Sequence, residues 1–156
     1  MKPDTQARTM EPASKDRLRL WLRLLKATRL VESALRENLR VEFASTLPRF
    51  DVMAALHRHP DGLKMSELSR FLMVSNGNVT GIVDRLAEDG LALRERVPGD
   101  RRAARARLTR KGEEEFARQA EAHEAWVDGF LAGIDPELTA GMSDLLARIS
   151  DPFEER

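Results

Sequence analysis

The most informative part of the chain is residues 66–86, which read SELSRFLMVSNGNVTGIVDRL. Ser66 and Ser75 are candidate N-caps, because a serine hydroxyl can accept the free backbone N–H groups that begin a helix. The helix after Ser75 has apolar residues at the i, i+3, i+4 and i+7 spacing of one buried face: Val79, Ile82, Val83 and Leu86. Only a brief turn at Met73 and Val74 separates the two helices, so the pattern predicts a helix-turn-helix.

A hairpin is predicted directly after this motif, beyond a glycine stop at Gly90. Its strands are residues 91–97 and 103–108, and its turn is Pro-Gly-Asp-Arg at 98–101. In the second strand, alanine and leucine alternate with arginine, so that one face is apolar and the other is basic. A hairpin in this position is a wing, and the two parts together predict a winged helix-turn-helix.

Helices are predicted on both sides of this unit. The first runs from Asp16 to about Phe43 and would be about 42 Å long at 1.5 Å per residue, longer than a small domain is wide. We therefore expect it to bury apolar surface against a second copy of the chain. Pro48 fits the first turn of the next helix, while Thr109 and Asp135 are candidate N-caps of the last two. The predicted fold class is mostly α, a winged helix-turn-helix whose N- and C-terminal helices form a dimerisation domain.

The predicted organisation divides the chain by these elements. Residues 1–15 are a disordered or frayed arm, and residues 151–156 are a tail. The helical dimerisation region comprises 16–47 and 110–150, and the winged helix-turn-helix comprises 48–109.

Composition excludes several classes of protein. The 156 residues contain no cysteine, which excludes disulfides, thiolate metal sites and thiol nucleophiles. No apolar run approaches the roughly 18 residues of a membrane span, and the polar N-terminus lacks the apolar stretch of a signal peptide. We therefore expect a soluble, cytoplasmic protein without a membrane partner. Catalytic motifs are absent, and His57 and His59 are spaced poorly for chelation, so we expect no enzyme activity, metal or cofactor.

The net charge is zero, but the charges are unevenly distributed. Residues 91–111 contain eight basic and two acidic side chains, whereas residues 112–156 contain three basic and twelve acidic ones. A dense arginine cluster can attract the phosphates of a nucleic acid. The alternative is a charged hairpin that is simply solvated.

The helix after Ser75 and the wing contain the candidate DNA contacts. Asparagine can bond the edge of adenine, and arginine that of guanine, in a major groove that admits a helix. Gly77 would allow close approach of the backbone, and arginines at the wing tip could enter the minor groove. The candidates are Ser75, Asn76, Gly77, Asn78, Thr80, Arg85, Arg94, Arg101 and Arg102. Asp100 is assigned a structural role in the wing. The alternative for the asparagines and Thr80 is helix capping and surface solubility.

These motifs resemble the MarR (multiple antibiotic resistance regulator) family. The matching stretches are 66–69, 74–80, 83–91 and Asp-Arg-Arg at 100–102, followed by Leu-Thr-Arg-Lys-Gly at 108–112. The resemblance covers about residues 16–150. It implies a homodimer with interlocked terminal helices that binds double-stranded operator DNA and represses nearby genes until a small ligand binds. It also implies that Asn76, Asn78, Thr80 and Arg85 lie on the recognition helix, and that Asp100 and Arg101 are the wing's Asp-Arg pair.

The family resemblance also implies an effector site. Many members respond to aromatic carboxylates or phenols, and some to coenzyme A thioesters; the subclass that senses oxidants through cysteine is excluded here. We expect any pocket where Trp21, Phe50 and Met53 meet the long helix, with Arg49 as a partner for a carboxylate. The alternative is that these are ordinary core and surface residues.

Three other functions remain open. An architectural protein would bind DNA by backbone and shape alone, without an effector, and the asparagines argue against it. A protein-interaction module would not need the arginines at 94–107. For a small enzyme we find no constellation of catalytic residues.

Overall fold

The computed structural model describes residues 12–154. Six helices and three short strands make up this part of the chain. The helices are α1 (Pro12–Phe43), α2 (Leu47–His57), α3 (Met65–Leu72), α4 (Asn76–Glu88), α5 (Arg110–Leu131) and α6 (Pro136–Glu154). The strands are β1 (Leu63–Lys64), β2 (Ala92–Val97) and β3 (Asp100–Leu108). The mostly α fold class predicted from the sequence is confirmed.

Two compact units divide the chain between Leu47 and Pro48. The described part of the first unit consists almost entirely of α1, which ends at Phe43, where Ala44 adopts a left-handed φ of 48°. The predicted start at Asp16 is wrong, because the helix begins four residues earlier. Pro12 fits the first helical position, where its missing N–H removes no helical hydrogen bond. The predicted arm, as far as residue 11, lies outside the described residues.

The helix-turn-helix lies in the second unit, as α3 and α4. The N-cap role of Ser75 is confirmed, since its hydroxyl accepts the backbone N–H of Asn78 at 3.4 Å. The N-cap role of Ser66 is wrong: Lys64 is the N-cap of α3, and its backbone N–H donates to the Glu67 carboxylate at 2.8 Å. The predicted apolar stripe of α4 packs into the core, with Val79, Val83 and Leu86 fully buried.

The wing belongs to a three-stranded antiparallel sheet in the order β1-β3-β2. Ala106 of β3 pairs with Leu63 of β1 on one side and with Arg94 of β2 on the other. Its turn is shorter than predicted, because β3 already begins at Asp100. Arg101 therefore lies on the strand directly after the turn rather than within it. Gly99 provides the positive φ, 81°, that this tight turn requires.

The last two helices begin at the predicted caps. Thr109 accepts the backbone N–H of Gly112 at 3.0 Å, and Asp135 accepts that of Glu137 at 2.8 Å. Phe116 is buried on α5, but the apolar stripe of α6 is exposed in the single chain. The predicted dimerisation region involves a second copy of the chain, which the structure does not contain. The assignment of the terminal helices to it therefore stays a prediction.

Candidate nucleic-acid interface

The exposed surface of α4 carries polar side chains that have no partner within the described residues. Within residues 12–154, the side chains of Asn76, Asn78 and Arg85 are exposed and make no hydrogen bond or ion pair. Two neighbouring candidates are engaged locally: the Ser75 hydroxyl caps the helix, and the Thr80 hydroxyl donates to the carbonyl of Asn76 at 2.9 Å. The amides and the guanidinium are therefore available for a ligand, whereas Ser75 and Thr80 first stabilise the helix.

The same helix is sterically open along its glycines. A Cβ atom added at Gly77 or at Gly81 would lie more than 4 Å from the surrounding atoms of the described part of the chain. Neither glycine is needed for packing, although glycine costs a helix roughly 1 kcal/mol relative to alanine. This openness allows the backbone of α4 to approach a partner closely.

The arginines of the wing fall into two groups. Arg94 pairs with Asp84 of α4 at 3.0 Å, Arg107 pairs with Glu95 at 2.9 Å, and Arg105 donates to the carbonyl of Asp61 at 3.4 Å. Arg94 and Arg105 thus fix the hairpin to the rest of the protein, whereas the pair of Arg107 and Glu95 joins its two strands. Among the predicted DNA contacts, Arg94 therefore has part of its charge neutralised by Asp84.

The second group of arginines has no partner among the described residues. Arg96, Arg101 and Arg102 are exposed, and within the described residues their guanidinium groups make no hydrogen bond or ion pair. They line an open cleft of about 320 Å³ on the hairpin, together with Arg94. Asp100 accepts the backbone N–H of Arg102 at 3.0 Å, so that it shapes the turn. Arg96 was not among the predicted DNA contacts, although it belongs to the basic cluster of residues 91–111.

The C-terminal end of α4 is anchored to two neighbouring helices. The carboxylate of Asp89 pairs with Arg49 of α2 at 2.6 Å, and its carbonyl accepts from Lys111 of α5 at 2.8 Å. Gly90 follows with a φ of 74°, which confirms it as the residue that ends the helix. The orientation of α4 is therefore coupled to α2 and α5.

The predicted effector residues have different environments. Phe50 and Met53 are buried core residues, and Arg49 already has the carboxylate of Asp89 as its partner. Trp21 lies on α1 in the first unit and is about half exposed, at 55%. An effector site at these four residues stays a prediction.

A row of ring contacts joins α2 to α5. Phe50 stacks on His123 with 4.5 Å between ring centroids, and burial lowers the pKa of His123. His57 contacts Phe116 and lies 2.6 Å from the Glu113 carboxylate through Nδ1.

Within residues 12–154, no three His, Asp or Glu side chains are grouped as metal ligands. In the same range, no helix has both the length and the apolar character needed to cross a bilayer.

Comparisons with known proteins agree with this geometry. A sequence profile described as the MarR family matches residues 45–104. The chain is 31% identical over 74 residues to an uncharacterized HTH-type transcriptional regulator, YkoM, of Bacillus subtilis, a match that covers 47% of this chain and about half, 48%, of that relative.

Two solved structures show the likeness over most of the chain. A MarR family transcriptional regulator from Silicibacter pomeroyi is 34% identical, with a TM-score of 0.75 over 91% of this chain and 98% of that one. Sco3205 from Streptomyces coelicolor, a MarR family regulator solved in complex with DNA, is 23% identical, with a TM-score of 0.77 over 85% of both chains. The identity to the Silicibacter protein over nearly its whole length, together with the family profile, identifies the family. The chain belongs to the MarR family of transcriptional regulators.

Proposed function

We propose that the chain binds double-stranded DNA sequence-specifically as a homodimer and regulates transcription from a pseudo-palindromic operator. The observation that carries the proposal is the exposure of Asn76, Asn78 and Arg85 on α4, in the same unit as the arginines of the wing that have no partner within the described residues. Side chains without protein partners are free to bind DNA without breaking an internal contact. The DNA complex of Sco3205, which has this fold, supports the choice of partner.

The two parts of the interface would have different roles. The helix α4 would lie in the major groove, where the amides of Asn76 and Asn78 and the guanidinium of Arg85 distinguish bases. Arg101 and Arg102 would contact the minor groove or its phosphates, where a narrow groove concentrates negative potential. Base contacts of the first kind determine specificity, whereas contacts of the second kind contribute affinity and salt dependence.

The exposed apolar surface of the terminal helices supports the proposed dimer. Large side chains such as Leu22 on α1 and Leu145 on α6 are about half exposed, and soluble monomers rarely leave so many apolar groups in water. A two-fold dimer places its two recognition helices on half-sites about one helical turn apart, roughly 10 bp. The operator should therefore be pseudo-palindromic.

The Arg49–Asp89 pair fits one kind of regulation. In it, the protein is a repressor that a small aromatic acid or its coenzyme A thioester releases from DNA. An effector carboxylate that bonded Arg49 would compete with Asp89, which holds the end of α4 at 2.6 Å. Near Phe50 and Met53 of α2, the aromatic ring would find apolar neighbours. An effector that binds more tightly to the conformation that cannot bind DNA shifts the population of the protein toward that conformation. The proposal includes a cytoplasmic location, where the genes are, and no catalytic role.

The proposal is tested by footprinting on DNA from upstream of the protein's own gene. We expect two protected half-sites roughly 10 bp apart, and their loss with the double variant Asn76→Ala/Asn78→Ala at unchanged thermal stability. Uniform protection along the fragment, equal for wild type and variant, would instead indicate an architectural protein that binds DNA by shape.

A further inference from the structure

The turn between α3 and α4 exposes two apolar side chains. Met73 is 85% exposed and Val74 is 39% exposed. Phe71, which precedes them on α3, is about half exposed, but its ring is in edge-to-face contact with that of His59. No other large apolar side chain of the described residues is as exposed as Met73. Packing against the protein therefore does not explain this methionine.

Hydrogen bonds hold the backbone of the turn in place. The N–H of Met73 donates to the carbonyl of Arg70 at 3.2 Å. The N–H of Val74 donates to the carbonyl of Ser69 at 3.1 Å, and the hydroxyl of Ser69, a buried residue, donates in turn to the carbonyl of Val74. The two side chains are therefore exposed on an ordered turn rather than on a loose loop.

The backbone conformation of Met73 is unfavourable for its side chain. Its φ is 55° and its ψ is 37°, in the left-handed region that glycine and asparagine favour. Glycine at this position would avoid the steric cost of a Cβ atom. A bulky residue that is exposed and costs stability is a candidate for contact with a partner.

The charge around the turn fits a polyanion. Residues 68–83 contain no Asp or Glu, and the guanidinium of Arg70 is exposed without a partner within the described residues. The turn leads into the N-terminal end of α4, the positive end of the helix dipole, where Asn76 and Asn78 are exposed. The partner that this surface fits is therefore DNA.

We propose that Met73 and Val74 contact the 5-methyl group of a thymine in each half-site. The inference rests on the DNA recognition of the proposed function and adds an apolar component to it. In the major groove, the thymine methyl is the apolar group that a base pair presents. Asn76 and Asn78 would bond the polar edges of bases, whereas the two apolar residues would recognise a feature that amides do not.

The size of the effect follows from the burial of one methyl group. Such a group contributes about fourfold in affinity when it is removed from water. A two-fold dimer makes the contact in both half-sites, so that the loss of both methyl groups should weaken binding about fifteenfold. Non-specific binding depends on the phosphates and should change little.

Substitution of thymine by deoxyuridine tests the contact, because it removes the methyl group and keeps the base pair. The upstream fragment that the wild type protects is synthesised with one symmetric pair of thymines replaced at a time, and anisotropy gives the dissociation constant of each duplex. At one pair of positions, the wild type should bind about fifteenfold more weakly. Met73→Gly should lose most of this discrimination, whereas Met73→Leu, which stays apolar, should keep most of it.

The glycine variant also separates DNA contact from folding. Because glycine suits the φ of Met73, the variant should melt at a temperature at least as high as that of the wild type. The matched control is Val41→Ala, which removes an exposed apolar side chain from α1 and should discriminate between the duplexes as the wild type does.

Two kinds of failure are distinguishable. Equal affinity of the wild type for all of these duplexes, or wild-type discrimination by Met73→Gly, would overturn the thymine contact and leave recognition by α4 intact. A wild type that binds its own upstream DNA no better than random DNA would instead contradict the proposed function.

Discussion

The substitution Arg101→Ala isolates the contribution of the wing to DNA binding. The Arg101 side chain is exposed and has no partner within residues 12–154, so its removal breaks no hydrogen bond or ion pair in the described protein. We expect the free energy of unfolding to change by less than about 0.5 kcal/mol, as for other surface substitutions. Any loss of DNA affinity is then a loss of contact rather than of fold.

The size of that loss follows from counterion release. Each phosphate charge that a protein neutralises contributes about 0.9 to the slope of log affinity against log salt. A dimer has two wings, so the variant should lower the slope by about 1.8. Between about 50 and about 200 mM salt, the affinity of the wild type should therefore fall about twelvefold more than that of the variant.

Fluorescence anisotropy with a labelled operator at these two salt concentrations measures the difference. The matched control is Arg148→Ala, which removes an exposed arginine from α6 instead of from the wing. It should keep the slope of the wild type. An Arg101→Ala protein with the wild-type slope, or an equal loss of slope in the control, would refute the placement of Arg101 on DNA.

Three further predictions concern base recognition, packing and pH. Asn78→Ala should reduce the preference for operator over random DNA while non-specific binding is nearly unchanged, as competition titrations would show; an equal loss on both would exclude base recognition by Asn78. Gly112→Ala should destabilise the protein by about 3 kcal/mol in urea unfolding, because the added Cβ would lie 1.9 Å from the carbonyl oxygen of Leu91. Gly81→Ala, at an open site, should instead stabilise it by about 1 kcal/mol. Equal effects of the two substitutions would contradict the packing. Burial lowers the pKa of His123 below its ordinary 6.5, so the unfolded chain binds more protons than the folded one. The free energy of unfolding should therefore fall as the pH drops through about 6.5. His123→Gln should lose less stability between about pH 7.5 and 5.5, and a loss identical to that of the wild type would exclude His123 as the cause.

Local signals in the sequence predicted the recognition helix well. The cap at Ser75, the apolar stripe through Val79 and Val83, and the stop at Gly90 each depend on a few neighbouring residues, and the structure confirms all three. The exposure of Asn76 and Asn78 follows from that stripe, because residues off the buried face of a helix point to solvent.

Features that depend on distant partners were not predictable in the same way. The strand β1 has only two residues, and it exists because Leu63 pairs with Ala106 more than forty positions later. Which arginines of the wing are free depends on carboxylates brought near by the fold, such as Asp84 of α4 for Arg94. Composition therefore located the basic cluster, but only the folded geometry distinguishes Arg96 as available and Arg94 as engaged.

The central claim is that α4 and the wing recognise a particular DNA sequence. Its most direct test is the ratio of dissociation constants for random and operator DNA, measured by competition at about 150 mM salt. Specific regulators of this kind bind their sites about 10³-fold or more tightly than random DNA, and we predict a ratio in that range, lowered by Asn78→Ala. A ratio near one for the folded wild type on every DNA fragment from its own upstream region would contradict the claim.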